Sequence, residues 1–388
     1  MNGRGILCLL VATLLAPASG RSDPAETTGY NLREGTFYGD GVPVYRKEVL
    51  SPTYTIDRIY KSMVGPQSRQ RPLSFGETGE SEVLWVVRYQ SDMVGPDGEA
   101  ELSPEFNCHS NLNVNIDHFY ERWASDLWPN GGRLFTLAQG QLSVELPPGF
   151  GIPVMSQEPL YLTTQALNHN VVGDPFDVRH KISIDFLRDA DLPKPLKPLV
   201  PRTVSARVVV DGGDGHLFID PADVDVEQHG PGCNVGEEAP RLISVVKKDD
   251  HGRAYTGHWV VPPGRQVNHT LITRWLALPY DTTVHYILAH LHPFAESLEL
   301  RDLTANETVF KATTRLSEGR IGIEEIEHYA SVEGIELYKD HQYELISVYN
   351  NTSGENQDAM ATMVLYLHAK DLYDFYIRPP DRKRYSNR

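Results

Sequence analysis

The side chains best placed to do chemistry are the two histidines of the segment YILAHLHPF, His290 and His292. They stand two residues apart in an apolar, β-branched run that reads as a strand, so both imidazoles leave the same face. Rings placed this way can bind one metal ion without bending the backbone. The same pattern also serves a strand whose histidines face water. Two cysteines, Cys108 and Cys233, form a second candidate group. In an oxidising compartment they read as a disulfide, and closing so long a loop would stabilise the fold by about 4–5 kcal/mol in the chain-entropy model. The alternatives to that disulfide are metal-binding thiolates or two separate buried thiols. His229, four residues before Cys233 in HGPGC, is a further possible metal partner.

Strands must position these groups. Tyr, Val, Thr and Ile are spread along all 388 residues, with 31 Gly and 27 Pro to punctuate them, a mixture that favours many short strands over a helical bundle. Strand signals fall at 83–89, 142–146, 160–168 and 181–187, then densely at 258–261, 270–277, 284–292, 297–303, 343–349 and 360–368. Leu112, Val114 and Ile116 alternate with Asn111, Asn113 and Asn115, as in a half-buried strand. Helical patterns are expected over 54–63 and over 118–127, the latter capped by Asp117. The Pro- and Lys-rich stretch 189–204 reads as a connector, and the Gly- and acid-rich stretch that follows, to residue 258, reads as a loop-rich insertion. The fold expectation is all-β, with two antiparallel, jelly-roll-like β-sandwich domains at 21–195 and 196–388.

Residues 1–20 carry a signal-peptide pattern: Arg4, an apolar run over 6–16, then Ala18, Ser19 and Gly20. Export to the periplasm or outside the cell is the expectation. No later apolar run is long enough to insert in a membrane. A formal charge of −16 disfavours nucleic acid as a partner. Asn268, Asn306 and Asn351 head glycosylation sequons.

The segment GHWVVPPGRQVNHTLITRWLALPYDTTVHYILAHLHPF resembles the second catalytic domain of the copper- and ascorbate-dependent monooxygenases, the peptidylglycine α-hydroxylating and dopamine β-monooxygenase family. In that family a VxPPG-like strand precedes the HxH strand by a similar interval. VYNNTSGENQDAMATMVLYL is similar to the family's loop that leads into Asp-x-Met, and Met360 matches its methionine ligand. The resemblance covers most of 80–370, apart from the insertion. It implies copper at His290, His292 and Met360. A thioether favours Cu(I) and imidazole accepts both oxidation states, whereas zinc rarely takes methionine. Met363 lies one residue out of phase and is expected on the opposite strand face.

The first half resembles the family's second copper site. His169, in LYLTTQALNHN, matches an isolated histidine, and FNCHSNLNV stands where the family has adjacent histidines. The pair here is Cys108–His109, so a second copper would rest on His109 and His169, with Cys108, His180 or His118 as possible further ligands. The family's carboxylate clamp is replaced by Leu288, Thr362 and Val364, which offer no positive charge and no fork of donors. The implied function is a monooxygenase that holds one or two coppers, takes electrons from ascorbate or another external reductant, and hydroxylates a C–H bond of a neutral or apolar small molecule other than peptidylglycine. A non-catalytic extracytoplasmic copper-binding protein is the alternative.

Overall fold

The structure, a computed structural model, describes residues 30–39, 41–61, 65–68, 70–75, 81–123, 125–209, 247–248 and 254–372. His229, Cys233, the segment 1–20 and most of the insertion lie outside this set, as does the proposed pairing of Cys233 with Cys108.

The fold is all-β. Its spine is an 11-stranded sheet, and its two halves meet where Lys197–Ser205 lies beside Ala361–His368. On the N-terminal side the sheet runs through Phe176–Arg188, Val83–Val94 and Phe150–Met155; on the C-terminal side it continues to Thr282–Leu291 and Tyr329–Leu337. A four-stranded sheet (Arg71–Leu73, Leu160–Ala166, Asn107–Val114, Arg133–Leu137) belongs to the first half. A five-stranded sheet built on Tyr343–Asn351 and Ala295–Asp302 belongs to the second.

One apolar core joins them. Leu112, Phe135 and Leu162 share a cluster with Ile182, Ile184, Leu288, Leu298 and Leu345. Phe135 stacks on Tyr89 at 5.0 Å and meets Tyr366 at 5.8 Å, while the Tyr366 hydroxyl donates to the Leu134 carbonyl at 3.0 Å. Burying such aromatic rings is the largest favourable contribution to a sandwich of this kind.

Several local expectations need correction. The strand expected over 270–277 ends at Leu271 and gives way to a short helix, Thr273–Leu276. The connector expected over 189–204 is a buried strand from Lys197 onward. Its antiparallel pairing with Ala361–His368 supplies the hydrogen bonds that an exposed linker would take from water. Its prolines are tolerated because pairing on the other edge involves only Lys197 and Pro198. The helix expected at 54–63 begins instead as the strand Tyr54–Ile56, with Tyr54 and Ile56 buried, Thr55 exposed, and the Tyr54 hydroxyl on Thr164. The helix expected at 118–127 runs Ile116–Trp123, and its cap is Asn115, whose Oδ1 accepts from the Asp117 and His118 amides.

Candidate metal centre

Register brings the two C-terminal motifs together. Thr282–Leu291 pairs antiparallel with Ala361–His368, setting His290 opposite Thr362 and Leu291 opposite Ala361. One step further, the His292 amide donates to the Met360 carbonyl at 3.4 Å. Residues opposite one another in such a pair share a face, so His290, His292, Met360 and Thr362 belong to one surface. Met363 pairs with Ala289 and so belongs to the other. Leu288 sits opposite Val364, which makes the next row of the same surface apolar.

The two rings are buried, with centroids 5.5 Å apart and planes at 87°. Imidazoles sharing an ion at about 2.0–2.1 Å from each nitrogen have centroids about 5–6 Å apart. Asp358, two residues before Met360, brings its Oδ2 to 3.0 Å from His292 Nδ1. The two atoms face each other at that distance without hydrogen-bond alignment; a carboxylate brought into line there would hold the ring and leave Nε2 as the donor nitrogen. The buried Nδ1 of His290 has no hydrogen-bond partner. Burial, reinforced by His292, His109 and His258, pushes the His290 pKa well below its ordinary value, so the ring stays neutral and ready to donate its lone pair.

His109 and His169 converge on this region from the first half. His109 is buried in Asn107–Val114, opposite Gln165, and its pKa falls to about 3 through burial and the charges of Arg133, His180, His292 and His258. His169 follows Leu160–Ala166, its buried Nδ1 has no partner, and burial with His292 nearby lowers it to about 4. Cys108 is buried with its Sγ 3.8 Å from Gln165 Oε1. His180 lies in Phe176–Arg188 with Nδ1 3.3 Å from Ser91 Oγ. A shallow opening lined by Lys61, His169, Phe294 and Asp358 among others lies beside these residues. Among the described residues no three His, Cys, Asp or Glu side chains stand close enough together to hold an ion. An ion here therefore needs the Met360 thioether or a closing movement of the rings.

Two residues that sequence reasoning missed also belong here. His258 is buried, with its ring centroid 6.1 Å from that of His292. Arg133 is buried too, and its Nε and Nη1 donate to Asn113 Oδ1, Asn111 Oδ1 and Thr136 Oγ1, all within 2.7 Å. The Asn side of that strand, expected to face water, is thus buried by a guanidinium bonded only to neutral acceptors. Burial lowers Arg133 to about 10.

No protein family matches the chain. Nor does any curated protein. Among solved structures it is similar to the crystal structure of the STIV MCP, at 8% identity over 82% of this chain and 97% of that one, with a TM-score of 0.31. It is also similar to PNGF-II, at 9% identity over 89% of this chain and 64% of that one, with a TM-score of 0.24. Likenesses this distant carry no functional argument.

Proposed function

We propose that the chain is an exported copper protein that holds the ion through His290, His292 and Met360, and that it acts as a monooxygenase of the kind it resembles in sequence. The observation that carries this reading is the adjacency of two motifs some 70 residues apart in sequence, joined by the His292 amide and the Met360 carbonyl. The donors fit the metal: two buried imidazoles, each with a buried Nδ1 that makes no hydrogen bond, beside a soft sulfur. Copper bound there would supply a one-electron redox change and an affinity for dioxygen.

The protein's own residues would do the rest. Asp358 would orient His292, and Tyr349 ties the Met360 backbone to it. The row formed by Leu288 and Val364, next to Thr362, is neutral and buried in the core, so it offers no charge that would hold an anionic substrate. His109 and His169 are the candidates for a second copper, with ascorbate or a similar small reductant as the electron source. Among the described residues no helix is long and apolar enough to cross a membrane.

A specific observation favours the second reading, a copper-binding protein without turnover: the histidines are buried together and the neighbouring opening is shallow. Copper content and ascorbate-driven oxygen consumption by the purified mature protein separate the two. One copper per chain and no oxygen consumption, with neutral substrates present, would leave only the binding role. Absence of copper binding would remove both.

A further inference from the structure

We infer that Asn306 is the site at which the folded, exported chain carries an N-linked oligosaccharide, and that the other asparagines in the same sequence pattern stay unmodified. The inference rests on the export part of the reading above and does not depend on copper. The pattern Asn-x-Ser/Thr occurs at Asn268, Asn306, Asn350 and Asn351. In the transfer, the side-chain amide nitrogen bonds to the anomeric carbon of a lipid-diphosphate oligosaccharide. The carbon–oxygen bond to the diphosphate breaks, the lipid diphosphate leaves with the electron pair, and the amide gives up one proton. The Nδ2 that bears the sugar therefore needs open space and keeps a single hydrogen to donate.

Asn306 meets both conditions. It closes the turn between Ala295–Asp302 and Glu307–Leu316, where every residue from Leu303 to Thr308 is exposed. Its φ of 57° is left-handed, a conformation that asparagine tolerates. Asp302 Oδ1 accepts from the Thr304 and Ala305 amides, both at 2.9 Å, and Arg301 Nη2 donates to Asn306 Oδ1 at 2.8 Å. The turn is thus held through the asparagine's oxygen, and among the described residues its Nδ2 has no acceptor.

The other three asparagines fail one condition or both. Asn351 is 2% exposed, and its Nδ2 donates to the Val261 and Glu355 carbonyls at 2.8 and 2.6 Å. A sugar there would remove one of those hydrogens and untie the loop that leads to Asp358 and Met360. Asn268 shares the inward face of Gly264–Leu271 with the buried Thr270, its Nδ2 shielded from solvent, and it lies opposite the fully buried Ser347. Asn350 lies in Tyr343–Asn351 opposite Arg265, and the Arg265–Glu296 ion pair, at 3.1 Å, joins the two flanking strands across it. The strand Ala295–Asp302 starts beside His292, and at about 3.3 Å per residue it puts the Asn306 turn about 23 Å away. A sugar at Asn306 therefore shields the hairpin tip and leaves the candidate metal centre uncovered.

The test expresses the full chain in cultured eukaryotic cells that N-glycosylate, once with residues 1–20 and once with those residues replaced by a proven secretory leader. It compares wild type with Asn306→Gln, Thr308→Ala, Asn268→Gln and Asn350→Gln. The readouts are mobility before and after enzymatic deglycosylation, and peptide mass spectrometry of the secreted protein. Secreted wild type should carry one oligosaccharide, on the peptide containing Asn306, and show one mobility shift. Asn306→Gln and Thr308→Ala should each lose that shift completely, the second with the asparagine still in place; Asn268→Gln and Asn350→Gln should keep it. Wild type itself reports all four positions, so a variant that fails to fold leaves the test intact. An unmodified Asn306 in secreted wild type, or a sugar on Asn268, Asn350 or Asn351, overturns the assignment. Modification of Asn306 with the substituted leader alone would uphold the acceptor site and refute the export reading of residues 1–20.

Discussion

The Tyr349 hydroxyl donates to the Met360 carbonyl at 2.5 Å, and the same oxygen accepts from the His292 amide at 3.3 Å. Tyr349 belongs to the five-stranded sheet, whereas His292 directly follows a strand of the 11-stranded sheet, so one phenol anchors both motifs from the opposite layer. Its ring packs edge-on against Trp259 at 5.7 Å. Tyr349→Phe should keep that packing and lose the anchor. A stability loss of about 1–3 kcal/mol is expected from urea unfolding, with weaker Cu(I) binding by chelator competition. Unchanged copper affinity would mean that the anchor serves the fold alone.

The two methionines of the final strand should separate cleanly. Met360→Ala should weaken Cu(I) much more than Cu(II) and abolish a copper–sulfur signal in X-ray absorption of the reduced protein. Met363 is fully buried on the other face, so Met363→Ala should cost about 2–5 kcal/mol of stability and leave the sulfur signal in place. Survival of that signal in Met360→Ala would refute the thioether assignment.

Asp358→Asn removes the carboxylate at His292 Nδ1 without changing the side chain's size. Copper affinity should fall by about 10–100-fold, because the ring loses its orienting partner and some basicity. Isothermal titration with Cu(II) measures this, and an affinity within twofold of wild type would rule out the supporting role.

Acid should destabilise the metal-free protein through histidines buried as neutral rings. His180 has its pKa lowered from 6.5 to about 3, chiefly by burial. The unfolded chain takes up a proton near pH 6.5 that the folded chain refuses until about pH 3. Stability is therefore level above pH 7, falls as pH drops from 6.5, and levels again below 3. His180 alone contributes a slope of about 1.4 kcal/mol per pH unit inside that window. His368, lowered to about 4 mainly by burial, acts in the same direction. Urea midpoints at pH 7, 6 and 5 check this, and His180→Leu should flatten the slope by about one proton.

The facing of the candidate residues on their strands was legible because its signals are local. A period of two within one segment places His290 and His292 on one face and Met363 out of phase with Met360, whatever that segment pairs with. Strand density likewise determined the all-β class, since β-branched and aromatic residues between turn formers can bury themselves in few other ways.

Tertiary structure decided the relations between segments. His258 stands 102 residues before Met360, and only the pairing of Trp259–Val261 with Gln357–Ala359 makes them neighbours. Arg133 turned an Asn-bearing strand face inward by bonding Asn111 and Asn113, which alternation alone had assigned to water. The stretch 197–205, open by composition, became a core strand once Ala361–His368 satisfied its backbone. The physical reason is common to all three. Periodicity reports which way a side chain leaves its own strand, while the register that chooses its neighbours is set by long-range burial and pairing and leaves little trace in any single segment.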